Sequence, residues 1–282
     1  MTGGWRLRVV HRTEVRYAEP VRASYNEARM TPPGLHRQSV LDSEVSLDIP
    51  VPIWTYTDYW GTVVSSFDIQ APHDELEVRA EATVETRPAP RTGRPLPWTV
   101  LRERAADSRL LEFLTPTGRT AVSAELANAA RERTARADPV EAASEIVSWV
   151  HGQVAYVPGA TEVQTGAQEA WDMGKGVCQD MAHLTVALLR EAGLPARYVS
   201  GYLHPMATAE PGDEMAGESH AWAEFWAGEW VACDPTNLAP VGQRHVVVAA
   251  GRDYGDVPPL KGIYRGAPNS SMDVAVSVTR LA

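Results

Sequence analysis

One segment limits what this chain can become: Gly174-Lys-Gly-Val-Cys-Gln-Asp-Met-Ala-His-Leu-Thr-Val-Ala-Leu-Leu-Arg-Glu-Ala-Gly-Leu-Pro195. Gly174 and Gly176 admit backbone angles that a Cβ forbids, so the segment opens as a tight turn. Cys178 follows, and then Met181, Leu184, Val186, Leu188 and Leu189. Apolar residues all round a helix require burial on every side. Gly193 supplies a left-handed stop and Pro195 forbids continuation. The spacing predicts a central helix over 178–192 with a thiol at its positive end, where unpaired N–H groups and the macrodipole favour a thiolate. A lone cysteine is more often a small buried hydrophobe, so its role depends on the residues downstream.

There, Ser219-His-Ala-Trp-Ala-Glu-Phe-Trp226 alternates as a strand, Gly228 allows a reversal, and Trp230-Val-Ala-Cys-Asp-Pro235 returns. A fold point at residue 227 sets His220 opposite Asp234. A hairpin loop of odd length keeps both side chains on one face, because side chains alternate with period two. A carboxylate facing an imidazole fixes its tautomer and stabilises its cation. Cysteine, histidine and aspartate together form a nucleophile, a base and an orienting group. Trp222 shares the face of His220 and is placed to shield the pair from water; a plain buried sheet tryptophan is the competing reading.

The residues Gly-Val-Cys-Gln-Asp-Met-Ala-His, Arg-Tyr-Val-Ser-Gly-Tyr-Leu (197–203), Ser-His-Ala-Trp (219–222) and Asp-Pro-Thr-Asn (234–237) resemble the bacterial transglutaminase-like family, within the papain-like cysteine acyl-transfer superfamily. Residues 5–86 resemble that family's amino-terminal β-domain, and Gly-Arg-Asp-Tyr-Gly-Asp-Val-Pro-Pro (251–259) with the final strand resembles its carboxy-terminal part. Cys233 departs from the pattern, in which an aromatic or aliphatic residue precedes the aspartate. The resemblance implies an α+β fold: an amino-terminal antiparallel β-domain, then a papain/transglutaminase-like core whose catalytic helix packs on an antiparallel sheet of 196–203, 219–226, 230–234 and 244–249. It implies acyl transfer through a thioester, with Cys178 as nucleophile, His220 as acid–base and Asp234 as orienting group.

The chain has 282 residues, net charge −10 and 44% hydrophobic residues, enough for a sizeable core. The acidic balance argues against nucleic acid or anionic lipid as a partner. No run of 18 apolar residues appears, so no membrane span is expected. The start lacks an apolar secretory segment, and two cysteines make no disulfide framework, which points to a reducing, cytoplasmic setting.

Residues 1–87 read as the β-domain. Trp5–Tyr17 alternates charged and apolar residues, and strand-like runs follow at 43–49, 61–69 and 75–86 between proline- and glycine-marked turns. Arg87-Pro-Ala-Pro-Arg-Thr-Gly-Arg-Pro-Leu-Pro97 reads as a linker, with a boundary at 88–97. The catalytic core takes 98–282. In it, Val100–Leu114 and Ser123–Thr134 read as helices, and Asp138-Pro-Val-Glu141 begins another with Asp as cap and Pro at the first position. Residues 151–170, including Tyr156, read as an irregular cleft wall, and 204–218 as a mobile rim loop. Asp253 and Tyr254 fall in a turn-rich stretch and are further cleft candidates. His183, five residues past Cys178, lies roughly 140° round the helix and points away from it.

Zinc could in principle take Cys178, Cys233, His220 and Asp234, yet no C-x-x-C or H-x-x-x-H pair exists, and Cys233 and Asp234 face opposite ways on a strand. The reading therefore calls for no metal and no cofactor. Its partner is a peptide or protein substrate, with an amine or water as acceptor. A purely hydrolytic cysteine peptidase or amidase shares every residue named, and a non-catalytic binding module on the same fold is the alternative from another class.

Overall fold

In a computed structural model of the chain, residues 3–88, 96–106, 108–217 and 219–282 are described. Six strands come first: β1 (Trp5–Val21), β2 (Ser24–Ala28), β3 (Gln38–Leu47), β4 (Trp54–Thr57), β5 (Val63–Ile69) and β6 (His73–Thr86). The alternation in β1 sends Trp5, Leu7 and Val9 inward. Arg6, Arg8 and Arg12 point outward to Glu85, Glu81 and Glu77 on β6 at 2.6, 2.8 and 2.6 Å. Such exposed pairs contribute little, so register rests on the buried face.

Helices α1 (Trp98–Ala105), α2 (Ser108–Leu111), α3 (Ala124–Thr134) and α4 (Pro139–Gln153) follow. The single helix expected over Val100–Leu114 is thus two short ones. Residues 89–95 of the expected linker, and Asp107, lie outside the described residues. Ser123 caps α3 by accepting from the Leu126 N–H. Asp138 accepts from the N–H groups of Val140 and Glu141, while Glu141 returns a bond to the Asp138 N–H.

The core then runs through β7 (Ala155–Tyr156), α5 (Ala167–Met173), β8 (Lys175–Gly176), α6 (Cys178–Glu191), β9 (Ala196–Leu203), β10 (Glu214–Gly217), β11 (His220–Trp226), β12 (Trp230–Cys233) and β13 (His245–Gly251). Strands β12-β11-β9-β13 form an antiparallel sheet in that order. Helix α6 packs on it at β11 and β9, with α3, α4 and α5 on its other sides. This is the α+β architecture of the papain-like core.

Two elements complete the chain, β14 (Leu260–Tyr264) and β15 (Ser270–Arg280). The sequence reading places 98–282 in one core, but β14 pairs with β2 and β15 with β1. The larger sheet runs β10-β15-β1-β6-β3 and the smaller β14-β2-β5-β4. Alternation identifies β15 as a strand and says nothing about its distant partner. Strand β10 interrupts the expected rim loop for the same reason, since its ladder partner is β15. Trp5, Leu7, Val9, Val276 and Val278 share one apolar cluster with α4, α6, β9 and β11, so sheet and core are fused.

Every residue of α6 from Asp180 to Arg190 is buried. Arg190 closes the helix by donating to the carbonyls of Ala196 (2.9 and 3.1 Å), Thr115 (3.0 Å) and Arg252 (2.7 Å), and to the Thr120 hydroxyl (3.0 Å). Burial lowers its pKa to about 10, against the opposing pull of Asp253, which still leaves a cation at neutral pH. Arg190→Ala strands three carbonyls from separate segments. A loss of about 3 kcal/mol or more is expected from unpaired buried acceptors, read as a lowered midpoint in urea unfolding. An unchanged midpoint would mean that water replaces the guanidinium at no cost.

Candidate active site

Gly174 takes φ 61°, the left-handed conformation that lets α5 end and the chain reverse. At Gly176 a Cβ would stand 2.8 Å from the Asp180 Cβ, so only glycine lets the turn close on the helix start. Asp180 Oδ2 accepts from the Val177 N–H at 2.8 Å and the Thr161 hydroxyl at 2.6 Å. Val177 has no side-chain acceptor to return the bond, so the one side-chain tie of the turn to α6 is Asp180, beside the N–H groups of Asp180 and Met181 that donate to the Val177 carbonyl. Cys178 then occupies the first helical position, half-buried.

His220 begins β11. Its Nε2 stands 2.8 Å from Asp234 Oδ2. The hairpin register is Trp226↔Trp230 through Ala223↔Cys233, so the fold point is residue 228 and not 227. Asp234 lies beyond the end of β12 and reaches back to His220 from there. The odd loop still keeps both on one face.

Asp234 is buried and collects donors from all round. Its Oδ1 accepts from the N–H groups of Thr236 (2.9 Å) and Asn237 (3.2 Å), and its Oδ2 from Asn237 Nδ2 (2.8 Å). A further imidazole, His245 on β13, brings Nε2 to 3.5 Å of the same oxygen, while its Nδ1 accepts from the Gly242 N–H. Burial opposes the Asp234 charge, but hydrogen bonds from His220, His245 and Asn237 hold its pKa well below the ordinary carboxylate range. Burial likewise disfavours the His220 cation, yet the bonds to Asp234 and then to Cys178 raise its pKa to about 9. With Nε2–H given to Asp234, Nδ1 is the ring atom left for the thiol.

His245 escapes the sequence reading, which identifies strand 244–249 but gives no reason to aim its second residue at Asp234. A register shift between Val247 and Ala249 makes its facing unreadable from alternation.

Trp222 is fully buried, with its ring nearly parallel to His220 (centroids 5.9 Å apart, 29°) and edge-on to His245 at 5.3 Å. It closes the inner side of the pair. Cys178, His220 and Tyr254 line one cavity of about 340 Å³, which Tyr198, Met272 and Val274 also wall. Asp253 is not among its lining residues. It accepts from the Gly255 N–H and caps a short 3₁₀ turn that holds Tyr254. Tyr156 also stays outside that lining. It is half-exposed on β7, paired with Gly176 beside the cysteine turn. His183 does not line the cavity; it sits behind two of its walls, accepting from the Tyr254 N–H at 3.1 Å with its ring against Tyr198.

Cys233 donates to the Ala223 carbonyl at 3.5 Å and packs against the main core, where burial pushes its thiol pKa up. Both thiols are free. The four zinc donors weighed from sequence are therefore not gathered. His220, Asp234 and His245 do converge, with ligand atoms within 4.8 Å, but each is engaged in a hydrogen bond with another of the three.

The profile of the transglutaminase-like superfamily matches residues 126–235, and that of the bacterial transglutaminase-like N-terminal region matches residues 7–85. The chain belongs to the bacterial transglutaminase-like family. An uncharacterized protein of Mycobacterium leprae is 42% identical over 99% of this chain and 100% of its own length. Another from Mycobacterium tuberculosis is 37% identical over 99% of this chain and 94% of its own. A protein-glutamine gamma-glutamyltransferase of Pseudomonas aeruginosa is 32% identical, but over 42% of this chain and 19% of its own length. A solved structure of a candidate cysteine protease from Cytophaga hutchinsonii superposes with TM-score 0.80 and 23% identity, covering 100% of this chain and 92% of that one. That likeness establishes the fold.

A raised folded-state pKa gives stability that is complete below the unfolded value, ordinarily about 6.5 for histidine, and lost as pH climbs through the folded value. For His220 that window runs from about 6.5 to about 9. The melting temperature of the wild type should fall across it, and His220→Gln should flatten the fall. Equal slopes in scanning calorimetry would show that His220 is not held as a cation.

Proposed function

We propose that this chain is a cysteine acyl-transfer enzyme that attacks a peptide or glutamine-type amide through a thioester, with Cys178, His220 and Asp234 as its catalytic groups. The observation that carries the reading is the thiol at the start of α6, in the same cavity as an imidazole whose other nitrogen is fixed on a buried carboxylate. Family membership supports it on independent grounds.

In the first half-reaction the Cys178 sulfur adds to the amide carbonyl. The tetrahedral oxyanion lies near the Cys178 N–H, which opens a helix and has no intrahelical acceptor. His220 gives its proton to the leaving amine as the C–N bond breaks, and the acyl group stays on sulfur. In the second half, an amine or water loses a proton to His220 and adds to the thioester, and the thiol returns. Asp234 keeps the imidazolium favourable throughout and fixes which nitrogen meets the sulfur. Asn237, Thr236 and His245 in turn hold Asp234, which stops the carboxylate from turning away.

Acceptance of an amine and hydrolysis by water use the same groups. Trapping the acyl-enzyme from a glutamine-containing peptide library, with and without an added primary amine, separates them by product mass.

Cys178→Ala should lower turnover by on the order of 10⁴-fold or more without unfolding the protein, since alanine suits a helix start. Iodoacetamide should label wild-type Cys178, which opens on the cavity, in preference to Cys233, whose thiol burial holds protonated. Asp234→Asn should slow that labelling. Undiminished turnover in Cys178→Ala, or labelling that Asp234→Asn leaves unchanged, would sink the mechanism.

A further inference from the structure

Strand β15 is sandwiched along only part of its length. From Val276 to Thr279 it pairs with β1 on one side and β10 on the other, where the ladder runs from Gly217↔Val276 to Glu214↔Thr279. From Ser270 to Ala275 it pairs with β1 alone.

The hydrogen bonds at both ends of β15 fix which backbone groups face the open side. The Arg280 N–H donates to the Asp213 carbonyl, and the Arg280 carbonyl accepts from the Gly212 N–H. The Leu281 N–H donates instead to Arg6 on β1, and the Asn269 carbonyl accepts from Ala18 at the other end. Pairing with β1 is continuous from Leu7↔Arg280 to Tyr17↔Ser270. In an antiparallel ladder each residue turns both its N–H and its C=O to one side, and successive residues alternate. Odd-numbered residues of β15 therefore bond to β1, and even-numbered ones face the side of β10. At Met272 and Val274 that side offers an N–H and a C=O with no backbone partner among the described residues.

The side chains tell the same story. Met272 and Val274 lie on the face of β15 that buries Val276 and Val278, yet they are 53% and 45% exposed. Both line the cavity that holds Cys178 and His220. An open strand edge bearing apolar side chains is a feature that proteins ordinarily blunt. Here β10 covers the edge only as far as Gly217, and the chain then passes to Ser219 and His220 in the wall of that same cavity.

We infer that the Ser270–Ala275 edge of β15 is a docking strand for an extended peptide. The peptide adds itself to the large sheet in line with β10, bonds to the backbone of Met272 and Val274, and so brings its acyl-donor amide to Cys178. The inference rests on the reading of Cys178 as the nucleophile. Strand addition takes its affinity from main-chain bonds and its selectivity from alternate side chains. The substrate class is therefore an unfolded or extended segment with an apolar residue over Met272 and Val274, and folded surfaces are excluded.

The test compares a short peptide carrying a chloroacetamide on a side chain with free iodoacetamide, as labelling rates of Cys178. Val274→Pro removes an outward N–H and no bond to β1; Val274→Ala keeps that N–H. The peptide-to-free rate ratio should fall about tenfold in Val274→Pro and stay within about twofold in Val274→Ala, as expected for one lost main-chain bond. The same fall should follow when the peptide, offered to wild-type protein, is N-methylated at alternate residues, so the outcome stands even if the proline variant does not fold. Binding of an unreactive fluorescent peptide to Cys178→Ala should show the same ordering by anisotropy. Free iodoacetamide that fails to label Cys178 counts against the acyl-transfer mechanism, while the binding arm still decides the docking strand. Ratios and affinities indifferent to Val274→Pro and to N-methylation would overturn the inference. So would concentration-dependent dimers that protect the Met272 and Val274 amides from hydrogen exchange when the peptide does not, since the edge would then belong to a second copy.

Discussion

Everything in this molecule is arranged about a helix with no exposed face between Asp180 and Arg190. Backbone groups at the ends of such a helix are costly to leave unpaired, because water does not reach them. At the carboxy end, Arg190 gathers carbonyls from three other segments and Gly193 takes φ 87° to turn the chain out. At the amino end, Asp180 ties down Val177 and Thr161, while the first residue faces a cavity. The thiol thus sits at the one end of a buried element where the protein supplies an opening in place of a partner.

Charge is distributed by the same economy of partners. His11, His183 and His220 are all almost fully buried. Burial alone takes His11 down to about 4. For His183, burial with the nearby Arg119 and Arg190 charges takes it to about 3. Facing the same desolvation, His220 rises to about 9, because Asp234 stands 2.8 Å away. Asp234 in turn is held ionised, against its own burial, by the bond from His220 and then by those from His245 and Asn237. Depth does not distinguish His220 from His11 and His183; a carboxylate at 2.8 Å does.

The helix at 178, its stop at Gly193, the capping box at Asp138 and the pairing of His220 with Asp234 were all legible, since each depends on local spacing. The hairpin centre falls one residue from where symmetry about Gly228 suggested, and Asp234 reaches His220 from beyond the strand end. Parity survived that error because it depends only on whether the loop is odd. His245 was not legible, as a bulge in β13 breaks the alternation that would have placed it. Nor were the partners of β14 and β15: a strand's composition says which face is buried but not which neighbour lies across the whole chain. Asp253 looked like a cleft acid and turns out to cap a turn, a distinction that only its bond to Gly255 reveals.

The placement of β15 has a consequence for how the protein comes into being. Strand β1 lies at the middle of its sheet, with β6 on one side and, on the other, β15, which follows β6 only after the whole papain-like core. Contacts of such separation form slowly, after the entropy of the intervening loop has been spent. Until Ser270–Arg280 pairs, β1 has one bare edge and the cavity at Cys178 lacks the wall that Met272 and Val274 form. Cys178, His220 and Asp234 all belong to the core between β6 and β15, so the cavity that they share is completed by a contact between the two most distant parts of the described chain.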